Sequence, residues 1–214
     1  MHQIALALSA YEQHYGCLPP ASIADANGKP MHSWRVLILP FMEREELYDA
    51  YSFDEPWDGP NNKKLHNIFL RPFCCPNDSQ NASGANNTNY LAVVGPGTAW
   101  PGTTSTSTKM VADGLSNTIL LVEVANSGIH WLEPRDLPVA AVNAGINPTS
   151  GLGISSGHPG GVNVAWMDGH CGFLDATTPP DLLHALLTIR GQEPLVEGNG
   201  GPMLAPPVKA KSSP

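Results

Sequence analysis

The sequence predicts a fold of the α+β class, in which helices accompany an antiparallel β-sheet. Residues 162–167 alternate in side-chain character with the period of a strand, and the Asp168-Gly169 pair that follows favours a tight turn. Residues 171–174 would return beside them as a second strand. Residues 119–124 form a nearly unbroken apolar run, which is typical of a central strand. Gly and Pro contribute 21 residues each, which leaves too little regular structure for a helix bundle.

The first part of the chain is predicted to contain short helices separated by loops. Residues 2–15 carry apolar side chains at helical spacing, and Gly16 would end this helix. The helix begins without an N-cap residue, so we expect a segment upstream of it to be missing. Ser33 favours the start of a second helix that breaks near Pro40, with a buried strand over residues 36–39 as the alternative, and a third helix reaches about Tyr51.

Further along the chain, Gly and Pro separate the predicted elements. A helix is expected over residues 60–67, a strand over residues 88–94, and a mobile loop over the Ser/Thr-rich residues 102–109. Thr178 would cap a last helix that stops at Gly191. These elements give one predicted domain over residues 1–191.

Residues 192–214 have the composition of a Pro/Gly-rich disordered tail.

The formal net charge of −8 argues against nucleic acid as a partner, because no basic run offsets it. The sequence contains neither a 20-residue apolar stretch nor a signal peptide, so no membrane span is expected in this chain. It also contains neither a Gly-x-Ser-x-Gly nucleophile motif nor a phosphate-binding loop.

The four cysteines allow a disulfide if the protein is exported. Cys17 would pair with Cys74 or Cys75, with buried thiols as the alternative. Cys74 and Cys75 are adjacent, which is not the paired spacing of a zinc knuckle.

His158 and Asp168 suggest a metal site or an acid/base pair, but the predicted strand between them argues against both. Six extended residues span about 20 Å, so the two side chains would lie at opposite ends of the strand. We therefore expect His158 to hold a loop through hydrogen bonds and Asp168 to shape the turn.

Oxygen-bearing side chains are concentrated at Asp113, Ser116 and Asn117, a pattern that would suit Ca²⁺. The segment lacks the length and the bidentate glutamate of an EF-hand, so a turn leading into the central strand is the favoured interpretation.

Glu123 lies inside the predicted central strand, where an uncompensated carboxylate is costly. We expect Arg135, or alternatively Arg35, to pair with it.

Among the five tryptophans, Trp100 and Trp131 are candidates for stacking on a sugar, although most tryptophans belong to protein cores.

Residues 158–169 resemble the His-x9-Asp-Gly signature of the bacterial prepilin-type processing-associated proteins, the DUF1559 family. His158, Asp168 and Gly169 occupy the signature positions. Further blocks resemble the family in the same order along the chain: residues 3–11, 33–40, 54–58, 75–78, 88–90, 113–119 and 179–187.

The resemblance implies a pilin-like or pseudopilin-like architecture: an N-terminal helix packed on an antiparallel sheet, with inserted loops and short helices. Family members usually begin with a prepilin cleavage site and an apolar half-helix that anchors the precursor in the inner membrane. This sequence lacks both. The implied partners are pilin-like or secretion-system subunits, with self-assembly if the missing helix is present, and the implied location is extracytoplasmic, at the cell surface or in the periplasm.

The sequence therefore predicts a non-catalytic structural or interaction head domain without a cofactor. Two alternatives remain: an extracytoplasmic module that binds carbohydrate or another small solute, and a metal-dependent hydrolase.

Overall fold

A computed structural model describes residues 1–78, 86–198 and 201–204. The fold is α+β, as predicted, with an antiparallel main sheet and several helices. The α-helices are α1 (His2–Tyr15), α2 (Trp34–Leu37), α3 (Glu45–Ala50) and α4 (Pro180–Leu187). The strands are β1 (Ser22–Ala24), β2 (Pro30–Ser33), β3 (Tyr90–Leu91), β4 (Val93–Val94), β5 (Ile119–Glu123), β6 (Leu137–Pro138), β7 (Gly161–Trp166), β8 (Cys171–Asp175), β9 (Leu195–Gly198) and β10 (Gly201–Leu204).

The main sheet has the strand order β3-β5-β7-β8, and every neighbouring pair is antiparallel. All five residues of β5 are buried, which confirms the central strand. The β7–β8 hairpin is also confirmed, with Gly161 opposite Asp175 and Ala165 opposite Cys171. This register places the predicted hairpin at one edge of the sheet.

The hairpin turn differs by one residue from the predicted two-residue loop. The Trp166 N–H donates to the carbonyl of His170, so three residues, 167–169, form the loop. Gly169 takes a positive φ of 91°, a conformation that glycine adopts without a steric penalty. The geometry is that of a three-residue hairpin loop with glycine at its left-handed position.

Helices cover both faces of the sheet. The buried side of α1, with Ile4 and Leu8, shares one core cluster with Leu121 and Ala165. On the other face, the leucines of α4 share a second cluster with Val162, Val164 and other residues of the sheet. Alternating residues of β7 thus point into two different cores, as the period of a strand requires.

Helix α1 follows the predicted bounds. Gly16 ends it in the left-handed conformation, with φ of 79°, and donates its N–H to the Glu12 carbonyl at 2.7 Å. A carboxylate oxygen of Glu12 accepts from the Thr108 N–H, which ties the helix to the Ser/Thr-rich loop. That loop contains a 3₁₀ turn, Thr108–Met110, and Thr106 is buried, so it is packed more closely than predicted.

The predicted second and third helices are present as α2 and α3. Ser33 caps α2, since its hydroxyl accepts from the Arg35 N–H at 3.2 Å. Pro40 lies in the first turn of a 3₁₀ helix, Leu39–Met42, which separates α2 from α3.

Three elements differ from their predictions. The strand expected over residues 88–94 is divided, because β3 pairs with β5 whereas β4 pairs in parallel with β6 in a separate sheet. The helix expected over residues 60–67 is only a 3₁₀ turn, Asn62–Leu65. Helix α4 starts after Pro179 and ends at Leu187, because Thr188 is extended. Thr178 does not cap it, since its hydroxyl donates to the Asp175 carbonyl.

The predicted disordered tail includes β9 and β10, which pair as an antiparallel hairpin. Residues 199–200 and 205–214 of that tail lie outside the described residues. Over the part of the chain that the structure describes, no helix has the length and apolar character needed to cross a membrane.

A buried ion pair joins the second helix to the sheet. The Arg35 guanidinium contacts an oxygen of Asp136 at 2.5 Å, and the two side chains are 0% and 3% exposed. Asp136 also accepts from the Ala92 N–H at 2.9 Å and from the Trp34 indole at 3.1 Å. Arg35 donates further to the Tyr90 carbonyl, so the pair connects α2, β3 and the segment before β6.

Replacing Asp136 with alanine is expected to destabilise the protein by about 3–5 kcal/mol, because the Arg35 charge would stay buried without its partner. The free energy of unfolding can be measured by urea titration followed through tryptophan fluorescence. Glu133→Ala is the matched control. It removes the partner of the exposed Arg135, a pair expected to contribute about 1 kcal/mol or less. Equal losses in the two variants would contradict this role of Asp136.

Candidate functional site

The candidate site is built around Glu123, the last residue of the central strand. Its side chain is only 1% exposed. One carboxylate oxygen, Oε2, accepts from the backbone N–H of Asn163 at 3.1 Å and from its side-chain amide at 2.8 Å. These bonds come from the neighbouring strand β7 and fix the orientation of the carboxylate. The other oxygen, Oε1, lies 3.7 Å from Nε2 of His158.

The predicted arginine partners of Glu123 are wrong. Arg35 binds Asp136, and Arg135 binds Glu133 at 2.6 Å. The reason is topological: residues 133–136 run alongside β3 and β4, whereas the Glu123 side chain faces the loop that precedes β7.

His158 and Cys75 complete the site. Nε2 of His158 lies 3.5 Å from the Cys75 sulfur, and Nδ1 lies 3.2 Å from the side-chain amide nitrogen of Asn77. Cys75 is held in place by its own backbone N–H, which donates to the Asn89 side chain at 2.8 Å. One potential ligand atom from each of Cys75, Glu123 and His158 lies within 4.8 Å of the other two.

Burial and negative charge control the protonation of the thiol. Burial raises the pKa of Cys75 to about 11, and the hydrogen bond with Glu123 adds to the effect because it favours the protonated thiol. Burial also raises the pKa of the neighbouring Tyr90, with smaller contributions from Cys75 and Glu123. The site therefore holds a neutral thiol beside a buried carboxylate.

An open cavity of about 1010 Å³ borders the site on the side of the cysteines. Its lining includes Cys74, Cys75, Asn77, Asp78 and Tyr90. His158 is 30% exposed at the side chain, so solvent reaches its imidazole, whereas Cys75 and Glu123 are buried.

The two signature residues His158 and Asp168 contact different groups. His158 faces Cys75, Asn77 and Glu123, whereas one oxygen of Asp168 accepts from both the backbone N–H and the imidazole of His170. Asp168 and Gly169 lie at the hairpin turn after β7, and His158 precedes that strand. The sequence does not indicate that His158 contacts Cys75 and Glu123, which come from distant parts of the chain. The buried carboxylate in the central strand was the one local signal that could have located that partner.

The predicted disulfide is wrong. None of the four cysteines, all of which lie within the described residues, forms a disulfide. Cys17 follows the C-terminal end of α1, whereas the Cys74 thiol donates to the carbonyls of Leu70 and Asn87 and Cys75 faces His158.

The predicted stacking role of Trp100 and Trp131 is also wrong. Both side chains are 1% exposed, and their indole N–H groups donate to the carbonyls of Leu120 and Ile68. Trp57 is half-buried, but its ring already stacks on His66, with 5.2 Å between the ring centroids. The rings of Trp100 and Trp131 are therefore packed inside the protein, where a sugar cannot stack on them.

The Asp113 carboxylate binds the segment that follows α4. It accepts from the N–H groups of Gly191 and Gln192, both at 2.8 Å, and from the Thr188 hydroxyl at 3.1 Å. The Asn117 amide donates to the Asp113 carbonyl, and Ser116 is exposed. These contacts favour the interpretation of this segment as a turn over that of a calcium site.

The raised pKa of Cys75 predicts slow alkylation of its thiol in the folded protein. At pH 8 a thiol with a pKa of about 11 is about one thousandth thiolate, and iodoacetamide reacts with the thiolate. Mass spectrometry of alkylated peptides should show Cys75 reacting at least about tenfold more slowly than the exposed Cys171. In urea the two rates should converge. Faster reaction at Cys75 than at Cys171 in the folded protein would contradict the proposed environment.

Asp113→Ala is expected to lower the free energy of unfolding by about 2 kcal/mol, because three hydrogen bonds to a carboxylate are lost. The melting temperature of the unsubstituted protein should be the same in CaCl₂ and in EGTA. Ser116→Ala is the control and should leave the melting temperature unchanged. Stabilisation by calcium that disappears in Asp113→Ala would establish the calcium interpretation instead.

Comparison with known proteins identifies one family. A family model described as a protein of unknown function (DUF1559) matches residues 1–136, which is more than half of the 214-residue chain. No curated protein and no solved structure matches the chain. The match covers Cys75 and Glu123 and ends before His158. On this evidence the chain belongs to the DUF1559 family.

Proposed function

We propose that this chain is the non-catalytic head domain of a type IV pilin-like or pseudopilin-like protein, which acts through the surfaces it presents to other subunits. The observation that carries the proposal is the placement of α1. This first helix packs on one face of an antiparallel sheet and against the 3₁₀ helices Leu39–Met42 and Arg71–Phe73, while residues such as Leu6 stay exposed.

The exposed side of α1 carries an apolar residue, Leu6, among mostly polar ones, and this residue is available to a second subunit. Leu6 is 52% exposed although Ile4, Ala5 and Leu8 around it are buried. Leu6 also lines a groove of about 310 Å³ together with Phe41 and Met42. A helix with apolar residues on both its inner and its outer side can pack on its own sheet and on a neighbouring protein.

The partners in this proposal are pilin-like or secretion-system subunits, including further copies of the same protein. Its location in this proposal is extracytoplasmic, at the cell surface or in the periplasm. The formal charge of −8 fits a partner other than nucleic acid.

Photocrosslinking in the native bacterium tests the proposal. A benzoylphenylalanine at Leu6, on the outer side of α1, is expected to crosslink to another copy of the chain or to a pilin-like subunit. Crosslinked species are identified by mass spectrometry, and protease treatment of intact cells and spheroplasts reports the location.

A second crosslinker at Ile23 on β1 is the control. Ile23 is also exposed and apolar, but it lies on a separate two-stranded sheet and should give no such product. Crosslinks from Leu6 only to proteins unlike pilins, or full protection from protease in spheroplasts, would refute the head-domain proposal.

A further inference from the structure

Three metal-binding side chains from distant parts of the chain meet at one point. Cys75 follows a 3₁₀ turn, Glu123 ends the central strand and His158 precedes β7. We propose that Cys75, Glu123 and His158 form a zinc site, with water as the fourth ligand. This inference is independent of the proposed assembly role.

Two of the three distances between the ligand atoms are close to those of tetrahedral zinc, and the third pair, Cys75 and Glu123, lies within 4.8 Å. With bonds of about 2.3 Å to sulfur and about 2.05 Å to nitrogen and oxygen, a tetrahedral ion separates sulfur from nitrogen by about 3.6 Å and nitrogen from oxygen by about 3.3 Å. The corresponding distances are 3.5 Å from Cys75 to His158 and 3.7 Å from His158 to Glu123. Shifts of a few tenths of an ångström in the side chains of His158 and Glu123 would bring these two distances to the tetrahedral values.

The donor set selects the kind of metal. A thiolate, an imidazole nitrogen and a carboxylate oxygen together suit Zn²⁺, which accepts all three, whereas Ca²⁺ and Mg²⁺ prefer oxygen alone. One thiolate and one carboxylate neutralise a divalent cation, and the Met1 ammonium, whose pKa is lowered by burial, also interacts electrostatically with Cys75 and Glu123. Neutrality matters here because the Cys75 and Glu123 side chains are buried.

Groups around the ligands already orient them. Asn163 occupies Oε2 of Glu123 with two hydrogen bonds, which leaves Oε1 directed towards His158. Asn77 contacts Nδ1 of His158, and its amide can be flipped so that its oxygen accepts a hydrogen bond from the Nδ1–H group. Nε2 is then left with its lone pair directed at Cys75 and Glu123, as a histidine ligand requires.

A cysteine nucleophile is the competing interpretation of the Cys75–His158 pair. It is disfavoured by Glu123, because a carboxylate in contact with the thiol opposes formation of the thiolate. Bound Zn²⁺ reverses this effect, since the cation stabilises thiolate and carboxylate together. The same carboxylate that opposes nucleophilic chemistry thus favours a metal.

The test is a titration of the purified chain with Zn²⁺ and with Co²⁺ as a spectroscopic substitute, under a reductant that lacks thiols. One ion per chain is expected, with a thiolate-to-cobalt charge-transfer absorption in the near ultraviolet and a rise in melting temperature on Zn²⁺ binding. Cys75→Ser should abolish that absorption and weaken zinc binding by about 100-fold. His158→Gln should weaken zinc binding similarly. Because the His158 side chain is 30% exposed whereas Cys75 is buried, this substitution should disturb folding less than Cys75→Ser.

Cys171→Ser and His170→Gln are the matched controls, because they remove an exposed cysteine and an exposed histidine elsewhere in the chain. Both should bind zinc as the unsubstituted protein does. Circular dichroism verifies that each variant is folded. The proposal is overturned if the unsubstituted chain binds no zinc, if the cobalt complex lacks the charge-transfer absorption, or if folded His158→Gln retains full affinity.

Discussion

The buried pair of Arg35 and Asp136 is the contact on which the arrangement of the other segments depends. Charges inside a protein are tolerated only when each is paired and hydrogen-bonded. Arg35 and Asp136 together bind Ser33, Trp34, Tyr90 and Ala92. The cost of separating the two charges therefore fixes where α2, the β3–β4 segment and the loop before β6 lie relative to one another, and with them one edge of the main sheet.

Glu123 is a second buried charge, and it is accommodated differently. Its stabilising contacts are the two N–H groups of Asn163 together with the thiol and imidazole at Cys75 and His158, whereas Arg35 and Arg135 are engaged elsewhere. A buried carboxylate next to a thiol and a half-exposed imidazole is an arrangement that a cation would stabilise. The central strand β5 thus has buried apolar residues along its length and a buried carboxylate, that of Glu123, at its last residue.

The two proposals for this protein concern neighbouring surfaces, because the cavity beside Cys75 and the groove beside Leu6 share the lining residues Gln3, Arg44 and Pro72. The assembly surface is the outer side of α1, with Leu6 and the groove beside it, whereas the metal site lies at the end of β5 beneath the loop before β7. Both depend on the main sheet, because α1 packs on its face and Glu123 belongs to it. A metal that joins three distant segments would stabilise the head domain on which the assembly surface lies.

The sequence by itself determined the elements whose signal is local: helix α1, the central strand β5 and the β7–β8 hairpin. Their apolar residues recur with the period of the element, so neighbouring residues suffice to define them. The sequence also determined membership of the DUF1559 family. Only the tertiary structure decided that the strand over residues 88–94 divides, that Arg35 binds Asp136, and that His158 meets Cys75, 83 residues away. These outcomes depend on which segments the folded chain brings together, and no local pattern encodes that choice.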